Sequence, residues 1–233
     1  LPDPGEPITL FTYKPPTYRG GPLLIVCHGV QRNAEDYRNF AITLAERFGA
    51  LVVAPLFDKE RFPLARYQRG GLVGADGKVQ PAERWTYSFI PRIVARVREL
   101  EGKPDLPYYL IGHSAGGQFV HRYVAFADAP RMEAAVAANS GWYTMPDNGA
   151  FPYGWGTDVA GLVSPAKAFQ RPLTILLGTE DIDRNDPNLR INEEADKQGQ
   201  TRFDRGHGFL AAAHKQAGAV RPLNWKIAYA DWD

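Results

Sequence analysis

An apolar run, Pro107 to Gly112 (PYYLIG), passes without a spacer into Gly112-His113-Ser114-Ala115-Gly116, and a helical pattern from about Ala115 to Ala127 follows at once. A strand that becomes a helix at a single serine, with glycine two places to either side, leaves few architectures open. The small residues let strand and helix approach closely. The turn lifts Ser114 Oγ above the sheet edge, and the new helix aims backbone N–H groups and its positive end at the same spot. As a bare pattern, G-x-S-x-G arises by chance in about 4% of chains with this serine and glycine content. An ordinary strand-turn-helix with a surface serine would carry it too. The junction between strand and helix is what gives it weight.

The rest of the chain alternates in the same way. Ile8 to Tyr13 reads as an early antiparallel strand, and Leu23 to Cys27 (LLIVC) as a strand buried on both faces. Asn33 caps a helix whose apolar stripe is Tyr37, Phe40, Ala41, Leu44, Ala45 and Phe48, closed by Gly49. Leu51 to Ala54 is a strand, and 57–84 a long loop. A second helix carries Ile90, Ile93, Val94, Val97 and Leu100, with Pro91 in its first turn. Glu133 to Asn139 and Pro172 to Gly178 are strands, Asp204 to Val220 is helical, and Leu223 to Ala230 is the last strand. The expectation is one α/β domain over 1–233: a doubly wound, mainly parallel sheet with helices on both faces. A small irregular aromatic cap occupies about 141–170.

Composition removes other classes. Of 233 residues, 44% are hydrophobic and 23% charged, which excludes disorder as the main state. Net charge is +1, so there is no electrostatic reason to expect nucleic acid or an anionic membrane. Most of the basic residues are arginine, which reads as composition bias and not as function. The single cysteine, Cys27, excludes an intrachain disulfide and a Cys-based zinc site, and its apolar run makes it a core residue. No apolar stretch approaches the roughly 18 residues of a membrane span. The Pro-rich lead Leu1-Pro2-Asp3-Pro4 without a methionine fits a cleaved targeting segment or a trimmed chain.

Around Ser114 the candidates are these. Cys27-His28-Gly29-Val30 ends an earlier parallel strand, and the loop there is expected to supply one oxyanion N–H from Val30, with the other from Ala115. His28 reads as a packed histidine that shapes this loop. Arg32 is either a brace for the loop or a contact for an acidic substrate group. Asp181, just past the strand at 172–178, is the candidate acid that orients a base, with Asp183 its competitor. Asp181, Asp183 and Asn185 imitate the start of a calcium loop, but Asp186 stands where glycine should be and Asn192 where the bidentate glutamate should be. No metal is expected. Trp142, Tyr143, Phe151, Tyr153 and Trp155 suggest an aromatic cap over the serine, with Trp142 and Tyr143 the best substrate-pocket candidates.

A triad also needs a histidine. His113 leaves the turn in another direction, His121 and His214 lie within helices, and His207 follows no strand. A base belongs just beyond the strand at 223–230, and the expectation is a histidine past Asp233, with His207 the alternative.

The segments HGVQRNAEDY (28–37), GHSAGGQFVHR (112–122), ANSGWYTMPD (138–147), FPYG (151–154) and LLGTEDIDRNDPNLR (176–190) resemble the α/β-hydrolase superfamily. More narrowly they resemble its polyhydroxybutyrate-depolymerase/feruloyl-esterase-like group of bacterial, often exported, hydrolases. The resemblance implies a nucleophile at Ser114, an acid at Asp181, and a histidine in a Gly-rich loop after a strand like NWKIAYA. It also implies that the stretch RFDRGHGFL does not hold the base. The expected activity is cleavage of a carboxylic ester, small or polymeric, through an acyl-enzyme without a cofactor. An amidase or peptidase on the same site, or a non-catalytic binding protein on this fold, are the alternatives. The implied location is periplasmic or secreted, otherwise cytoplasmic.

Overall fold

The computed structural model describes residues 7–218 and 223–231; the Pro-rich lead, the end of the helix expected to reach Val220 and the chain's end at Asp233 lie outside the described residues. In chain order the elements are β1 (Leu10–Tyr13), β2 (Leu23–Cys27), α1 (Ala34–Phe40), α2 (Ile42–Phe48), β3 (Leu51–Pro55), α3 (Phe89–Glu101), β4 (Tyr108–His113), α4 (Ala115–Phe126) and β5 (Met132–Ala138). Then come β6 (Met145–Ala150), β7 (Gly154–Gly156), α5 (Pro165–Gln170), β8 (Leu173–Gly178), α6 (Glu193–Asp196), α7 (Arg202–Ala217) and β9 (Trp225–Ala230).

Seven strands form one sheet in the order β1-β3-β2-β4-β5-β8-β9. Only β1 is antiparallel, pairing with β3 as its position before the first crossover allows. The chain winds outward from β2 to β3, then returns to place β4 on the other side of β2, with Cys27 opposite Gly112. This reversal opens a crevice at the carboxyl ends of β2 and β4, where open α/β sheets bind their ligands. The main core packs one sheet face under α3, α4, α5 and α7, through Ile90, Ile93, Phe119, Val120, Phe169 and Phe209. A smaller core lies on the other face, where Leu24, Val26 and Val52 meet Ala41 and Ala45.

One expectation changes here. The helix expected to run unbroken from residue 34 to 48 is two helices that meet at Ala41 (φ −84°, ψ −3°). Its buried face is Ala34, Ala41 and Ala45, while Phe40 is 72% exposed and Phe48 59%. The alanines let the helices lie close on β2 and β3, and the larger side chains of the same apolar stripe fall outside. The segment 141–170 is built of short elements and is rich in aromatic residues, as expected. It holds the β6–β7 pair, a 3₁₀ turn (Thr157–Leu162) and α5; β6 is exposed from Asp147 to Ala150, while Tyr143, Trp155, Val159 and Phe169 reach the main core. The loop at 57–84 does the same with Phe57, Phe62, Tyr67 and Leu72, all fully buried.

If the alanine face is the packed one, Ala45→Leu overpacks a full interface and should cost about 1–3 kcal/mol. Phe40→Ser should cost less than about 0.5 kcal/mol. Urea unfolding of the two variants checks this, and the reverse order of effects would return Phe40 to the core.

Candidate active site

Ser114 sits between β4 and α4 with φ +54° and ψ −111°, a conformation a non-glycine residue holds only at a cost of about 1–3 kcal/mol. Two hydrogen bonds secure it. Its N–H donates to Ala138 O of β5 (2.9 Å), and its carbonyl accepts from Gln118 N–H (3.0 Å). The flanking glycines are required sterically. A Cβ on Gly112 would lie 2.2 Å from Gly116 O, and a Cβ on Gly116 would lie 2.2 Å from Cys27 O. So the motif is a close crossing of β4, α4 and the end of β2, and the strained serine is held by that crossing. Ala115, at the first helical position, has an N–H with no intrahelical acceptor.

The loop after β2 closes one side. His28 is fully buried: Phe57 N–H donates to its Nε2 (3.0 Å) and its Nδ1–H donates to Gly29 O (3.0 Å). Burial pulls its pKa down to about 4, so the ring is neutral and structural. Tyr67 OH donates to His28 O (2.7 Å). Arg32, at φ +66°, braces the same loop: its guanidinium donates to the carbonyls of Phe57 and Phe62 (3.0 Å each) and stacks on Tyr67. Of the two roles open to Arg32, the structure shows the brace.

A pocket of about 560 Å³ opens over Ser114, walled by Gly29, Val30, Tyr37, His113, Asn139 and Asp181, with Phe40 at its mouth. Ser114, Val30 and Asp181 therefore share one cavity. Asp183 is exposed and takes part in a turn, accepting from Asn185 N–H (2.8 Å). The structure does not bring Trp142 and Tyr143 to this pocket. Tyr143 stacks on Phe209 at 4.5 Å, and its backbone N–H and C=O exchange two hydrogen bonds with the Gln198 side chain (2.8 Å each). Trp142 is buried against Arg122 and Tyr153. Aromatic residues among glycine and proline have the same signature as a lid or as packing, and here they pack.

The five histidines divide clearly. His113 lines the pocket, but its Nδ1 shares a hydrogen bond with Tyr37 OH (2.8 Å), and burial lowers its pKa. His121 is buried, its Nδ1–H donating to Gly117 O and its Nε2 accepting from Thr144 N–H. His207 lies on α7 against Phe203 and Tyr229, and His214 is exposed on the same helix. No hydrogen bond joins any of them to Ser114 or Asp181.

Sequence reasoning missed Arg202. Its Nη1 donates to Asp181 Oδ1 (2.8 Å) and Asp186 Oδ2 (2.7 Å), and its side chain is almost wholly buried. It enters from the first turn of α7, where Thr201 and Asp204 form a capping box. That box signals where α7 begins, but nothing local in the sequence says which carboxylates Arg202 meets. The hydrogen bond from Arg202 is the main reason the Asp186 carboxyl is held below the usual range. Arg202→Gln leaves two carboxylates without their cation and should cost about 3 kcal/mol at neutral pH. Asp186 has a depressed folded-state pKa, so its contribution is present above the unfolded value of about 4 and is lost as pH falls through the folded one. The gap between wild type and variant should therefore narrow below about pH 4. Denaturant melts from pH 7 to 2 check this, and a gap that stays constant would contradict it.

Comparison with known proteins places this geometry among solved structures. The chain is 39% identical to the poly(aspartic acid) hydrolase-1 of Sphingomonas sp. KT-1, covering 97% of this chain and 87% of that one, with a TM-score of 0.90. It is 36% identical to LpqC, a poly(3-hydroxybutyrate) depolymerase from Bordetella parapertussis, covering 97% and 79%, with a TM-score of 0.89. A phospholipase/carboxylesterase from Dyadobacter fermentans, 15% identical with a TM-score of 0.54 over 96% of this chain and 86% of that one, shares the fold. No protein-family model and no curated protein sequence matches the chain.

Proposed function

The chain belongs to the α/β-hydrolase superfamily, in its depolymerase-like group, and on that footing we propose that it cleaves carboxylic esters through an acyl-enzyme on Ser114. Its relatives are hydrolases, which supports a serine-hydrolase type of activity. The observation that carries the reading is the strained Ser114, at the head of α4, sharing one pocket with Val30 and Asp181. In this reading Ser114 Oγ attacks the carbonyl carbon of the ester. The N–H groups of Val30 and Ala115 receive the developing oxyanion, a contribution of about 3–4 kcal/mol per donor where such donors have been removed. Asp181 orients the base and stabilises its charged form, while Arg202 holds the carboxylate in place. The substrate is a small or polymeric ester, and no cofactor or nucleic acid takes part.

The reading requires a histidine that takes the Ser114 proton and returns it to the leaving alcohol. In this reading the base approaches Asp181 from the side of the pocket on which β9 ends. Thr179 N–H donates to Ala230 O (2.8 Å), so the chain leaves β9 beside the turn that carries Asp181. His207 is set aside because it faces Tyr229 and not the pocket. Export from the cytoplasm belongs to the same proposal; among the described residues, no helix is long and apolar enough to cross a membrane.

A second reading, an amidase or peptidase on the same site, has the likeness to a poly(aspartic acid) hydrolase in its favour. Hydrolysis of p-nitrophenyl esters by the full-length protein tests both. Ser114→Ala should lower kcat on the order of 10⁶-fold, with fluorophosphonate labelling abolished, and His207→Ala should leave both near wild type. Turnover of amides but not esters would favour the second reading. Labelling of a chain ending at Asp233 that disappears in His207→Ala would overturn the assignment of the base.

A further inference from the structure

Three guanidinium groups converge on Trp142. Arg122 lies 4.2 Å from the ring centroid, Arg190 5.4 Å and Arg69 5.8 Å. Arg122 is fully buried. Its Nε donates to Thr144 Oγ1 (2.6 Å), its Nη1 to the carbonyls of Gln68 and Gln118 (3.0 Å each), and its Nη2 has no acceptor. Arg69 Nε is also buried without an acceptor. Arg190 Nε donates to Tyr153 OH (2.7 Å). Every acceptor these three use is neutral, and among the described residues no carboxylate forms an ion pair with any of them.

That arrangement is costly. A buried cation needs an anion or a full set of hydrogen bonds, and like charges close together in a low dielectric repel one another. Burial, with a further push from the Arg69 charge, pulls Arg122 down to about 9. Attraction to the indole face offsets part of the repulsion and leaves the net charge in place. What remains is concentrated positive charge with donors unspent. Arg69 and Arg190 are half-buried, and Arg69 lines a cavity of about 900 Å³ together with Arg84, Trp85, Phe151 and Pro152. Among the described residues lining it Glu83 is the one carboxylate, and none of them also lines the Ser114 pocket.

We propose that Arg69 and Arg190, with Arg122 on the same Trp142 indole, form a binding site for an oxyanion, a carboxylate or a phosphate, that enters through the cavity that Arg69 lines. Planar guanidinium groups pair such groups through two parallel N–H donors, and the buried Arg122 keeps the local potential positive whether or not the ligand is present. The site does not depend on the chemistry assigned to Ser114. A carboxylate would come from an acidic chain, a phosphate from solution.

The test is a titration of the full chain, at fixed ionic strength, with tetra-aspartate peptide and separately with inorganic phosphate. Tryptophan fluorescence and the thermal midpoint are the readouts. Saturable binding of at least one is expected, weakened about tenfold or more in Arg69→Gln and in Arg190→Gln, since each variant loses a charge-assisted contact. Without added anion both variants should melt at or above the wild-type temperature, because each removes a repelling charge. Tighter binding of the peptide would identify an acidic chain as the ligand, and tighter binding of phosphate a free ion. Failure of both to saturate, or equal affinities in wild type and both variants, would overturn the proposal.

Discussion

The close crossing of α4 over the ends of β2 and β4 governs the rest of the molecule. Gly112 touches Gly116 across the turn, and Gly116 touches the backbone of Cys27 and His28, so neither has room for a side chain. With those contacts made, Ser114 can only be reached by the backbone in its strained state, and the first N–H groups of α4 face the crevice. The strain is sustained because β2, β4 and β5 are hydrogen-bonded parallel neighbours in the middle of the sheet that cannot shift one at a time. The loop 28–33 is then fixed by Tyr67 and Phe57, which donate to the His28 carbonyl and ring, and by its own Arg32, which donates outward to the carbonyls of Phe57 and Phe62. Function, in the proposed reading, uses the edge of a packed core.

How much of this the sequence could carry depends on which physical signal each residue leaves. LLIVC and LVVA were readable as strands because burial on both faces produces an unbroken apolar run. The turn at Ser114 was readable because two glycines and a serine at fixed offsets meet a steric demand. Periodicity failed at 34–48. Phe40, Leu44 and Phe48 repeat at the same spacing as Ala41 and Ala45, and amplitude favours the larger side chains, yet the sheet lies too close for them. Trp142 and Tyr143 failed for a related reason: composition tells how apolar a segment is and not which way it turns. Arg202 was not legible, since its partners stand 21 and 16 residues earlier and no local pattern links them.

Arginine content, which looked like compositional bias, is used structurally at several points. Arg32 ties the loop after β2, and Arg205 donates to the carbonyls of Gly199, Gly141 and Arg190, joining three loops beneath the sheet's carboxyl edge. Arg202 gathers two carboxylates. The guanidinium suits this work because its donors lie in a fixed plane and it stays charged when buried. Against that pattern Arg122, Arg69 and Arg190 stand apart. The first group spends its donors on backbone carbonyls or carboxylates, whereas these three gather around one indole, and among the described residues no carboxylate pairs with any of them.

The base follows from the sheet's topology more than from any motif. In the proposed mechanism the proton must pass between Ser114, above β4, and a ring held by Asp181, above β8, with β5 between them. The ring must therefore reach over the carboxyl ends of the strands from the β8–β9 side. Helix α7 does not offer this route. It starts beside Asp181 but places Arg202 there, and by His207 it has turned to face Tyr229 of β9. His113 approaches from the opposite wall, where Tyr37 holds it. The direction left open is the one in which β9 itself runs, since Gly178 and Ala230 are paired and the chain leaves Ala230 level with the acid's turn. In the proposed mechanism Asp181 thus serves two cations in turn: Arg202, which holds it, and the imidazolium of the base, which it would stabilise.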